Sequence, residues 1–215
     1  MVSFLDLEAL KQGVYAIGLD LSIEQIDQLD RFSALLFKWN KTYNLTSIKG
    51  KEEVLTHHIL DSLSVIPYFD RYLHDQARLL DVGSGGGLPA IPIAICRPNI
   101  QVELVETVGK KTAFLTQAYI ELGLKNVRVH NTRVERLQSK KYDAISSRAF
   151  SSLLLFTNLS KHLLKDGGVW LAMKGHLLNE ELSQLDDFVK LGNVTEIDVP
   201  QLHEKRHLIV LSAME

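Results

Sequence analysis

Hydrophobic positions in the first third of the chain recur at three- and four-residue steps, the period of a helix with one buried face. Phe4, Leu7, Leu10, Val14 and Ile17 form the first such stripe, and Gly18 supplies its stop. Ser22, followed three residues later by Gln25, has the form of a capping box. It opens a second helix that buries Ile26, Leu29, Phe32 and Leu36, with Trp39 near its end. Leu55, Ile59, Leu63 and Ile66 mark a third helix, which should end at Pro67. From about residue 77 the pattern changes to short apolar runs alternating with amphipathic segments. Strands are predicted over 78–82, 101–106, 127–130, 142–146, 169–173, 194–199 and 208–212, with helices over 88–96, 109–122, 152–164 and 177–190. Such alternation implies right-handed crossovers and a mostly parallel sheet covered on both faces. The last two strands lie too close together for a crossover helix and should pair antiparallel. The chain therefore reads as an N-terminal helical extension, 1–67, and an α/β domain, 77–215, without repeats or low-complexity tracts.

A length of 215 residues allows one large domain, or a domain with an extension, and a substantial core. Charge narrows the class of partner. With 24 Lys and Arg against 26 Asp and Glu, the formal net charge is -2, so there is no global basic field and nucleic-acid binding has to come from a local patch. The single cysteine, Cys96, excludes an internal disulfide framework and a cysteine metal cluster, and its place in the helix after 88 suits a small core residue. Nothing apolar is long enough to span a bilayer. The start, Met1 to Glu8, lacks the positive flank of a signal peptide, so a soluble cytoplasmic protein without membrane association is expected.

The densest chemical signal is Leu79-Leu80-Asp81-Val82-Gly83-Ser84-Gly85-Gly86-Gly87, a strand running into a glycine loop and then a helix start, which together make a nucleotide pocket. A dinucleotide fingerprint, G-x-G-x-x-G, would need glycine at 88, where Leu88 stands. The glycines fit a different spacing, acid-x-Gly-x-Gly-x-Gly at Asp81, Gly83, Gly85 and Gly87, which is the first motif of S-adenosylmethionine-dependent methyltransferases. Ligand charge separates the two cases. A pyrophosphate wants backbone N–H groups and no carboxylate beside it, whereas S-adenosylmethionine has no phosphate and carries an ammonium and a sulfonium. Glu106 closes the next strand at the same sheet edge, where a carboxylate can accept bonds from both ribose hydroxyls.

Over nearly its whole length the chain resembles the bacterial 16S ribosomal RNA guanine-N7 methyltransferases, the glucose-inhibited division protein B family. The matching pieces run from Trp39 to Thr46, from His58 to Leu63 and from Asp81 to Pro89, followed by Arg133-Val134-Glu135, Ser147-Arg148-Ala149-Phe150 and Lys174-Gly175. Gly86 stands where other members have proline, and Ala90 where some have glycine. The resemblance implies a Rossmann-like class I methyltransferase fold, with a seven-stranded mostly parallel sheet, an antiparallel last strand and the helical extension. It also implies methylation of N7 of the guanine at position 527 of 16S rRNA, with S-adenosylmethionine as cofactor. The family's cofactor contacts map onto Gly83, Leu88, Val134, Glu135 and Arg148, beside Asp81, Gly85 and Glu106 from the loop reading. The implied partner is 16S rRNA, in the small ribosomal subunit or an assembly intermediate, met by a monomer without a metal.

Guanine N7 has an in-plane lone pair and no proton to lose, so the transfer needs alignment rather than a general base. The sequence lacks the Asn/Asp-Pro-Pro-aromatic motif of exocyclic-amine methyltransferases, reading Ser146-Ser147-Arg148-Ala149-Phe150 there, and has no cysteine nucleophile at that edge. Arg148, the candidate catalytic residue, suits the methionine carboxylate, guanine O6 or a phosphate equally well. Phe150 fits either stacking on the base or the core. His57, His58 and Asp61 share one helix face, as structural hydrogen bonds, the lining of the cofactor mouth or, less simply, part of a metal site lacking further ligands nearby. Basic residues cluster at Lys38, Lys41, Lys49 and Lys51, at Lys110 and Lys111, at Arg133, Arg136, Lys140 and Lys141, and at Lys205-Arg206-His207. Those at 110, 111, 133 and 148 follow strands and should rim the cofactor edge. Competing readings are a methyltransferase for a small molecule or protein and a noncatalytic ribosome-binding module.

Overall fold

In the computed structural model the described residues are 3–48, 50–148, 150, 152–175 and 179–214. Helix α1 (Leu7–Ile17) starts where the Asp6 carboxylate accepts the N–H groups of Glu8 and Ala9, and it ends on Gly18 at φ 83°. Helix α2 (Ile23–Tyr43) carries the predicted capping box of Ser22 and Gln25 and buries Ile26, Leu29, Phe32 and Leu36, with Trp39 half-buried. Beyond it, α3 (Lys51–Val54), a π-helical turn (Leu55–Leu60), α4 (Asp61–Ser64) and α5 (Ile66–Phe69) follow without a break in the backbone's coiling. Pro67 does not end the segment as expected. It occupies the first turn of α5, where its missing N–H has no partner to lose.

The remaining chain alternates strand and helix: β1 (Arg78–Val82), α6 (Ala90–Cys96), β2 (Gln101–Glu106), α7 (Gly109–Glu121), β3 (Val127–Asn131), β4 (Tyr142–Ser147), α8 (Leu153–Ser160), β5 (Leu164–Lys174), α9 (Asn179–Ser183), β6 (Val189–Ile197) and β7 (Arg206–Ala213). The sheet order is β3-β2-β1-β4-β5-β7-β6, with β1 to β5 parallel and β7 antiparallel to both its neighbours. The expected seven-stranded, mostly parallel architecture is therefore present. One helix differs. Over 177–190 the helix is confined to Asn179–Ser183, residues 177 and 178 lie outside the described set, and Val189 already pairs with Ala213. Leu182, in that short helix, and Leu185, in the irregular stretch after it, both pack on the sheet, and the helix goes no further because pairing with the free edge of β7 outweighs the local period.

Two apolar clusters cover the two faces of the sheet. One unites α1 to α5 with α6, α7 and one side of the strands, and the other lies under α8 and the irregular segment. The crossovers thus change sides between β1 and β4, which is where open α/β sheets bind ligands.

Candidate functional site

The glycine loop leaves β1 at this switch point. Gly83 donates to the Val105 carbonyl at 2.9 Å, and Gly83, Gly85 and Gly87 have φ of 72°, 54° and 78°, a region closed to most side chains. Gly86 serves a second purpose. A Cβ there would stand 3.1 Å from Leu36 of α2 and 3.1 Å from the Thr46 methyl, so the helical extension closes directly over the loop.

Asp81 is buried at the end of β1, beside its register partner Ser146 of β4, whose hydroxyl donates to Oδ1 at 2.8 Å. Its other oxygen, Oδ2, has no hydrogen-bond partner among the described residues. Burial pushes its pKa up to about 7, against the lowering effect of the Ser84 and Ser146 hydroxyls and the Arg148 charge. Glu106, also buried, accepts the Gly85 N–H at 3.0 Å on Oε2 and the Thr107 and Val108 N–H groups at 2.8 and 3.0 Å on Oε1. This acid therefore fastens the loop's centre to the turn after β2. Lys111 Nζ lies 3.9 Å from it.

A cavity of about 350 Å³ opens beside Glu106, walled also by Gly83, Arg133, Val134, Glu135 and Phe150. Val134 and Glu135 sit on a single 3₁₀ turn (Val134–Arg136), the first buried and the second exposed. Phe150 bridges the core and the cavity. Its ring packs on Phe156 at 5.4 Å, and the same side chain lines the cavity. Leu88 sits in the first apolar cluster, so a ligand could meet only its backbone.

Arg148 belongs to a second cavity of about 550 Å³, which also touches Ser47, His57, Asp61, Lys174 and Arg206. Asp61, 2% exposed, accepts from Arg148 Nη1 at 2.9 Å on one oxygen and from Arg206 Nε at 2.8 Å on the other. His58 is buried against Arg148, and burial first, then that positive charge, lowers its pKa to about 4, so it is neutral at pH 7. Its Nε2 meets the Thr46 hydroxyl at 3.0 Å, while Asn40 Oδ1 accepts the Thr46 N–H at 2.8 Å. The shared face of His57, His58 and Asp61 is thus bound into protein hydrogen bonds and also lines a cavity. Among the described residues no group of three His, Cys, Asp or Glu is arranged to hold a metal ion.

Gly83, Glu106, Val134 and Glu135 wall one cavity, Gly85 is held beside it through Glu106, Asp81 is buried behind the loop without lining it, and Arg148 stands in the other cavity. Sequence reasoning missed Arg206 as a partner of Asp61 and Arg148, having placed it only in the basic cluster Lys205-Arg206-His207. The signal lay in its position at the start of the antiparallel strand beside β5. Lys110 is exposed next to Lys111, Arg133 is exposed at the cavity rim, and Lys49 and Ala149 fall outside the described residues. Cys96 is buried in the core, with its thiol pushed up to about 12 by desolvation. No described helix is long and apolar enough to cross a membrane.

Residues 25–209 match the family model described as rRNA small subunit methyltransferase G. A protein of that name from Neisseria meningitidis serogroup B is 48% identical over 205 residues, covering 95% of this chain and 97% of its own length. Another from Chromobacterium violaceum is 48% identical over 201 residues, with 93% and 94% coverage. Among solved structures, a SAM-dependent methyltransferase from Aquifex aeolicus superposes with a TM-score of 0.58 at 18% identity, covering 73% of this chain and 91% of that one. TrmN from Thermus thermophilus superposes at 0.55 with 16% identity, covering 74% and 53%. At such identities the structural likeness speaks for the methyltransferase fold alone.

Proposed function

This chain belongs to the rRNA small subunit methyltransferase G family, and from that premise we propose that it transfers a methyl group from S-adenosylmethionine to N7 of a guanine in 16S rRNA, position 527 by the family resemblance. The observation that carries the cofactor reading is the pair of buried acids at the glycine loop, one of them with an unpartnered oxygen. A cationic cofactor without phosphate would favour the ionised form of Asp81, whose pKa burial pushes up to about 7, whereas a pyrophosphate would oppose it.

Gly83, Gly85 and the Leu88 backbone would cradle it, Glu106 would meet its ribose, Val134 and Glu135 its adenine, and Asp81 and Arg148 its charged amino-acid end. When bound, S-adenosylmethionine supplies an electrophilic methyl carbon. The chain's own work is positional. N7 attacks through a lone pair and gives up no proton, so the site needs no general base, and His58, neutral at pH 7 and bonded to Thr46, is already committed elsewhere. Phe150, on the wall of the glycine-loop cavity, excludes water where cofactor and acceptor meet, and Arg148, in the neighbouring cavity, orients the amino-acid end relative to the base. Residues 1–67 act as an extension of the methyltransferase domain, 77–215, that shapes the acceptor side. With that substrate the protein works in the cytoplasm as a monomer, on the small subunit or its assembly intermediate.

The test compares 16S rRNA from cells with and without this gene by strand cleavage specific for N7-methylguanine. Loss of one cleavage site on deletion is the expected result, and its persistence would refute the assignment. Purified protein should also gain thermal stability with saturating S-adenosylmethionine.

A further inference from the structure

We infer that Asp61 is a positioning residue for methyl transfer, whose single buried carboxylate sets Arg148 and Arg206 in one frame across the second cavity. The inference rests on the methyltransferase reading of that cavity. Three distant segments supply the groups: α4, the loop after β4 and the start of β7. Each oxygen of Asp61 serves one guanidinium, at 2.9 Å to Arg148 and 2.8 Å to Arg206. The residue directly follows the π-helical turn, a distortion that recurs at functional sites.

The two arginines face different things. Arg148 acts electrostatically on both Asp81 at the glycine loop and His58, and its Nε and Nη2 make no hydrogen bond among the described residues. Arg206 reaches the mouth, where its Nη2 pairs at 3.0 Å with Glu204, a residue with a half-exposed side chain. Removing a carboxylate and two guanidinium groups from water is costly, and apolar side chains of the same volume would hold such a joint at least as well. What apolar packing would not provide is two forks held at fixed directions, one toward the cofactor side and one toward an incoming anionic RNA. Because one carboxylate serves both, displacement of either arginine alters the seat of the other.

The experiment uses Asp61→Asn, which keeps the size but offers one acceptor and one donor, so only one guanidinium can retain its bond. Methyl transfer is measured with purified full-length protein on small subunits, and in parallel on deproteinised 16S rRNA, from cells lacking the gene, well below each variant's melting temperature. The expected loss in kcat/KM is about tenfold or more, as for a lost charge-assisted contact that orients a reacting group. Combined with Arg206→Gln, it should cost no more than about threefold beyond the worse single variant, because both remove the same frame. Multiplying losses, or wild-type kcat/KM in Asp61→Asn, would overturn the inference. Should Asp61→Asn not fold, the cycle of Arg148→Gln and Arg206→Gln decides. Shared anchoring predicts non-multiplicative losses, and multiplicative losses refute it. A wild-type protein that forms no N7-methylguanine would instead sink the functional reading itself.

Discussion

Asp81 and His58 should impose opposite pH dependences on stability, and removing the first should expose the second. Asp81 has a folded pKa of about 7 against 3.8 unfolded, so the native state holds a proton the unfolded chain has released. Its contribution is fully present below pH 3.8 and is lost as pH rises through 7. His58 runs the other way. With a folded pKa of about 4 against 6.5, its contribution is present above pH 6.5 and is lost as pH falls toward 4. At about 1.4 kcal/mol per pH unit, and with Asp81 half ionised at pH 7, going from pH 5 to 7 costs about 2 kcal/mol through Asp81, while His58 returns about 2 kcal/mol by pH 6.5. The wild-type profile should therefore be shallow across this range. In Asp81→Asn the descending component is gone, so stability should rise by about 2 kcal/mol between pH 5 and 6.5 and then level off. Urea unfolding followed by circular dichroism at half-unit pH steps reads this directly. A difference between wild type and variant that does not change with pH would refute the assignment of the buried proton to Asp81.

Two further outcomes follow from other parts of the molecule. Glu103 accepts from Arg78, His130 and Tyr142, and those bonds hold its pKa at about 2 against the burial that would raise it. Glu103→Gln should therefore lose roughly 3 kcal/mol in urea unfolding by removing the negative charge that balances the Arg78 guanidinium, which keeps only its bonds to Lys141 and Ser139, and methyl transfer well below the melting temperature should persist. Replacing Lys110 and Lys111 with Gln should weaken RNA binding and flatten the log–log salt slope by about 1.5 if both neutralise phosphates. An unchanged slope in filter binding would remove this pair from the interface.

How much of this was legible in the sequence depended on the range of the interaction. The capping box at Ser22, the strand into Asp81 and the glycine spacing are set within a few residues, and all were readable. Pro67 misled because a proline in a first turn and a proline at a helix end look alike until the flanking backbone is known. The segment over 177–190 misled because Leu182, Leu185 and Val189 satisfy a helical period, while the decisive partner, Ala213, lies in another strand. Asp61, Arg148 and Arg206 were each visible. Their partnership was not, since 87 and 145 residues separate the carboxylate from its two arginines.

That long-range joint bears on where acceptor choice resides. The cavity beside the glycine loop is built wholly from the α/β domain, from the ends of β1 and β2, the turns after β1, β2, β3 and β4, and Leu159 of α8. The arginine cavity is divided: Ser47, His57 and Asp61 come from the helical extension, and Arg148, Lys174 and Arg206 from strand ends. On the proposed reading of the two cavities, a methyltransferase sheet by itself would retain the cofactor cavity and lose one wall of the cavity proposed for the acceptor. The same extension also limits the loop, because Leu36 and Thr46 occupy the space a Cβ at Gly86 would need, and Thr46 is pinned by Asn40 and His58. A shift of α2 large enough to admit a different acceptor would press on the glycine loop and disturb the cofactor. If the arginine cavity takes the acceptor as proposed, acceptor specificity and cofactor geometry are tied through the extension, and changes of substrate within this fold are expected to replace those helices rather than adjust them.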